Sequence, residues 1–103
     1  MVMTANEFKA FSYATAEEMQ KLGNLMAEHF GFCDYDILRR AIIRNKMNRH
    51  SIIDVLSCLT EHGVKVQVDQ DIFMEFIGEM FNHGYQADAI CQHVIHSQAQ
   101  LIK

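Results

Sequence analysis

The chain has 103 residues, half of them apolar, and nine Lys and Arg against thirteen Asp and Glu give it a formal net charge of −4. This content excludes a wholly disordered chain, the length suits a single helical domain over 1–103, and the acidic balance disfavours indiscriminate attachment to phosphate backbones. Proline is absent and glycine sparse, which argues against Pro-rich linkers and Greek-key sandwiches and for helices joined by short turns.

The opening "MVMTANEFKAF" has no basic segment followed by an apolar one, so no secretory leader is expected. Thr4 with Glu7 and Thr15 with Glu18 fit the capping box, in which each side chain satisfies the other residue's backbone N–H. They predict a short helix near 5–11 and a second over 16–29, the latter with an apolar stripe of Met19, Leu22, Met26 and Phe30. Asp34 or Asp36 can cap a third helix over 35–47. Ser51 with Asp54 is a weaker capping box for a fourth over 52–62, whose stripe is Ile52, Val55, Leu56 and Leu59. Asp69 can cap a fifth over 70–82, and a sixth follows over 86–101 with Ala87, Ile90, Cys91, Val94 and Leu101 inward. Three of these helices stop at "EHFG" (28–31), "EHG" (61–63) and "NHG" (82–84). There glycine supplies the left-handed residue and His29, His62 and His83 are placed to bond the last carbonyls. The helix over 70–82 is apolar on more than one stripe, which predicts a central place in the bundle or, as the alternative, an oligomer interface.

"IIDVLSCLTEHGV" (52–64) and "FMEFIGEMFNHGY" (73–85) echo each other at an offset of 21 residues, less as a repeated helix–turn module than as two amphipathic helices that share the same cap. Between them "VKVQV" (64–68) alternates as a strand does, with no second segment to pair with it. It is expected to be an extended connection, or else the pairing edge of a homodimer.

The expected fold is therefore all-α, one bundle of five or six helices. No apolar run approaches the ~18 residues of a spanning helix. Three cysteines, odd in number and far apart, suit a reducing interior, so the expected location is cytoplasmic.

No phosphate loop, nucleophile elbow or metalloprotease motif is present, so no catalytic residue, cofactor or enzymatic activity is expected. Cys91, His93 and His96 come nearest to a metal set. On a helix, however, Cys91 lies roughly 160° from His93, and the C-x₂₋₄-C pair of structural zinc is missing, so no metal is expected. "NHGYQADAICQHVI" resembles a DNA-reading helix-turn-helix only in its turn; its second helix has no Arg or Lys before Lys103.

The strongest partner signal is "LRRAIIRNKMNRH" (38–50), with five of the nine basic residues and no acidic one. On a helical wheel Leu38, Ala41, Ile42 and Asn45 share an inward arc of roughly 100°. Arg39, Arg40, Arg44 and Lys46 take the other side, with Ile43 and Met47 between them. An apolar centre inside a charged rim suits docking of an acidic protein partner. The expected partner-binding residues are Arg39, Arg40, Ile43, Arg44, Lys46, Met47 and Arg49, on a small non-catalytic adaptor or inhibitor. The alternatives are a dimeric nucleic-acid-binding regulator using the same cations, or an aliphatic pair that packs internally.

Overall fold

A computed structural model describes residues 16–101, with side chains described through 97. Among the described residues the chain is all helical, with five helices and no strand: α1 (Ala16–Phe30), α2 (Tyr35–Arg44), α3 (Arg49–Glu61), α4 (Gln70–Asn82) and α5 (Ala87–Leu101). The expected helix near 5–11 and both threonines of the capping boxes lie outside the described residues.

The starts follow short polar side chains, though not always the expected ones. Asp34 caps α2, its carboxylate accepting from the backbone N–H groups of Asp36 and Ile37. For α3 the cap is Asn48 rather than Ser51. The Asn48 amide oxygen accepts from the Ser51 N–H at 2.7 Å and from its hydroxyl at 3.0 Å, so the helix begins three residues earlier than expected. Ser51 spends its hydroxyl on the cap instead of serving as one. Asp69 occupies the cap position of α4 without a side-chain bond to the helix.

The stops match more closely. After α3, Val64 N–H donates to the Leu59 carbonyl and Gly63 N–H to the Thr60 carbonyl, with φ +67° at Gly63. After α4, Tyr85 and Gly84 make the same two bonds to Met80 and Phe81, with φ +90° at Gly84. Both ends are Schellman caps, and this shared cap is the physical content of the echo between 52–64 and 73–85. His62 and His83 place Nδ1 2.8 Å and 3.1 Å from the carbonyls of Cys58 and Glu79.

His29 departs from this pattern. It is buried, and its Nε2 lies 3.0 Å from the Thr60 hydroxyl and 3.2 Å from the Leu56 carbonyl, which ties α1 to α3. In this case tertiary packing overrides the helix-ending role.

The core is built where the helical stripes converge. Leu22 and Met26 of α1, Leu38 and Ile42 of α2, Ile52, Leu56 and Leu59 of α3, Phe73 and Ile77 of α4, and Ile90 and Val94 of α5 form one buried cluster. α3 packs against α1 and α5, whereas α2 packs chiefly on α4. The central helix is therefore α3, whereas the apolar pattern of α4 points to α4. Ile72 on α4 is exposed, and Phe76, Met80 and Phe81 are half-buried, because α4 covers its extra apolar stripe only in part. Burying a Leu- or Phe-sized side chain contributes about 1.5–3 kcal/mol, so the shared stripes outweigh the weaker local signals.

Residues 64–68 form no strand; they connect α3 to α4, with Val66 turned into the core. No helix among the described residues is long and apolar enough to cross a membrane.

Candidate functional site

Three places carry chemistry that the packing does not consume. The first is the basic stretch, which the structure rearranges. α2 ends at Arg44, Asn45 caps it, and Lys46 takes φ 54°, a left-handed conformation that breaks the wheel extrapolated to 47. The Asn45 side chain helps the break by donating from Nδ2 to the Ala41 carbonyl at 3.1 Å. Met47 is consequently turned inward and only 6% exposed, so it is a core residue and no part of a docking centre.

Ile43 stays half-buried on α2. Arg39 is half-buried and ion-paired with Asp36 at 2.7 Å, and Arg40 Nε donates to the Asp36 carbonyl at 3.3 Å. Arg49 points the other way, toward Glu18 of α1, with its Nε 3.9 Å from that carboxylate. Of the seven residues expected to form one patch, Arg40, Arg44 and Lys46 are exposed.

The second place is an open cleft of about 570 Å³ between the α1–α2 turn and the 66–71 segment. Phe30, Phe32, Ile37, Val66 and Val68 supply apolar wall, while Asp69 and Asp71 lie along one side. Phe32 is 58% exposed and Val68 41% exposed. Gln70 holds the two sides together from beneath. It is buried, its Oε1 accepts from the Asp34 N–H at 2.8 Å, and its Nε2 donates to the Phe32 carbonyl at 3.1 Å. Sequence patterning cannot find this glutamine, because it occupies the first helical position, where polar residues are ordinary.

The third place lies on the seam of α3 and α5. Cys58, His62 and Cys91 bring one ligating atom each within 4.8 Å of one another. Cys58 and His62 are four apart, so the end of α3 stacks them on one side; Cys91 arrives from α5. The Cys58 Sγ lies 3.8 Å from the His62 Nδ1. Burial is the chief cause that pushes the Cys91 thiol up to about 12, helped by the Cys58 thiol and by the charges of Glu61 and Asp88.

His93 and His96 are not members of this group. Both are exposed, and His93 stacks on the Phe76 ring at 5.7 Å. In the sequence, a Cys-x₃-His pair on one helix and an inward cysteine on another were the available signals, and only their meeting was hidden.

No protein-family model, curated protein or solved structure matches the chain.

Proposed function

We propose that the protein is a small non-catalytic interaction module that binds a partner polypeptide in the cleft between the α1–α2 turn and the 66–71 segment. One observation carries this reading: Phe32 and Val68 stand exposed on a cleft that is also lined by buried Val66 and by buried Gln70, which is hydrogen-bonded to the backbone of Asp34 and Phe32. Exposed apolar side chains around a preformed cleft are where burial supplies binding free energy. Asp69 and Asp71 define the partner's chemistry, an apolar side chain flanked by Lys or Arg. The three free cysteines support a reducing, cytoplasmic setting.

A second reading takes an acidic partner instead and places the surface on α2. Its support is that Arg40, Arg44 and Lys46 are exposed while Ile43 is only half-buried. Nucleic acid would use the same trio, with affinity that falls as salt rises.

Selection from a random peptide display library on the purified chain separates these. The cleft reading expects apolar-basic peptides whose binding is lost in Phe32→Asp and Val68→Asp and kept in an Arg40→Glu, Arg44→Glu double variant. Acidic peptides with the opposite response would replace it with the α2 reading. Failure to enrich any peptide, together with a salt-sensitive gel shift, would replace both with nucleic-acid binding.

A further inference from the structure

None of Cys58, His62 and Cys91 lines the cleft. Helix ending accounts for some of it. The His62 bond to the Cys58 carbonyl has a twin in His83, which makes the same bond to the Glu79 carbonyl at the end of α4. Capping explains that one nitrogen at both sites. It does not explain why, at α3 alone, the capped residue is a cysteine and a second cysteine from another helix closes on the same point.

The donor set is a recognisable one. Two thiolates and an imidazole are borderline-soft ligands that suit zinc(II), and three protein ligands leave the fourth tetrahedral position open. Zinc–sulfur bonds of about 2.3 Å at tetrahedral angles hold ligand atoms on the order of 3.5–3.8 Å apart. The 3.8 Å between Cys58 Sγ and His62 Nδ1 sets the imidazole ring beside the thiol, and one ligating atom from each of the three residues falls within 4.8 Å of the others, which leaves a short closure.

The carbonyl bond makes Nδ1 the protonated nitrogen of His62 and leaves the Nε2 lone pair to a cation, with the Cys58 carbonyl as the outer partner that orients the ring. The burial gradient also fits an ion that enters from solvent. Cys91 is buried, Cys58 half-buried and His62 exposed. Glu61 and Asp88, both near enough to act on Cys91, add negative charge around the same point.

We propose that Cys58, His62 and Cys91 form a zinc(II) site that clamps the end of α3 to α5. On binding, the two S–H bonds give way to two Zn–S bonds and both protons pass to solvent. The fourth position goes to water or to a neighbouring carboxylate, Glu61 or Asp88. Because α5 otherwise packs by Ile90, Cys91 and Val94, the ion cross-links the last helix to the central one.

The test uses the whole chain, reduced and stripped of metal, titrated with cobalt(II) and then zinc(II). The expected result is one equivalent of cobalt with thiolate charge-transfer and tetrahedral d–d absorption, displaced by zinc. Zinc should raise the melting temperature of the parent chain. Cys58→Ser and His62→Ala, at positions with exposed surface, should lose the tetrahedral spectrum and bind zinc at least ~10-fold more weakly, with circular dichroism confirming that both variants fold. His93→Ala should bind like the parent. Absence of thiolate–cobalt absorption in the parent chain, or undiminished binding in Cys58→Ser, would overturn the site. Purification of the chain with a Cys58–Cys91 disulfide and no metal under reducing conditions would do the same.

Discussion

Gly78 sits inside α4, where alanine would ordinarily gain about 1 kcal/mol in helix propensity. Here a Cβ would run into the side-chain amide of Asn45. That amide has little room to yield. Its Nδ2 donates to the Ala41 carbonyl and its Oδ1 accepts from Asn82 Nδ2 at 3.1 Å. The glycine lets α2 approach α4 closely and the asparagine spans the gap. Gly78→Ala is therefore expected to destabilise the fold by about 1–3 kcal/mol, the usual size of an overpacking clash. A urea midpoint equal to or above that of the parent chain would show that Asn45 moves aside without loss. The same asparagine was legible from the sequence only as an inward position on the α2 wheel. Its partners on α4 are 33 and 37 residues away.

At the scale of elements, the joint between the α1–α2 turn and α4 depends on Gln70. Helix propensity and hydrophobic stripes build α1, α2 and α4 separately, and none of them fixes where the turn lies. The two hydrogen bonds from Gln70 to Asp34 and Phe32 do so. Removing the side chain strands a buried N–H and a carbonyl, at a cost of about 1–3 kcal/mol. Gln70→Ala should thus lower stability by that amount and, because Phe32 loses its anchor, weaken cleft-binding peptides. Hydrogen exchange at the Asp34 amide checks the structural half directly: its protection should fall in the variant while α5 amides are unchanged. Equal protection in both proteins would mean that the turn is held elsewhere. The ends of α3 and α4, by contrast, were readable as local chemistry. His-Gly-apolar closes each with the same Schellman pattern, since every bond in it spans five residues or fewer.

For the molecule as a whole, the buried thiols give stability a dependence on alkaline pH. Cys91 is raised from 9.0 to about 12 chiefly by burial, and Cys33 is raised in the same direction, also by burial first and then by Asp34. Between those values the folded chain keeps a proton that the unfolded chain has lost. For Cys91 this stabilisation is complete below pH 9 and is lost as pH rises toward 12, at up to about 1.4 kcal/mol per pH unit. Urea unfolding of the metal-free chain at pH 8 and pH 10 should show the loss, and Cys91→Ala should flatten it. An identical pH response in that variant would assign the effect to other groups. Much of the whole was determined by the sequence alone. Helical class, five of the helices, three glycine stops and the greater part of the core follow from apolar period and capping, which act over a few residues. The tertiary structure decided the rest: that α3 rather than α4 is central, that Met47 turns inward past a left-handed Lys46, that His29 bridges α1 and α3, and that Cys91 meets Cys58 and His62. Each of these depends on which faces meet. That choice is made by burial across separations of tens of residues, where the local spacing of side chains carries no signal.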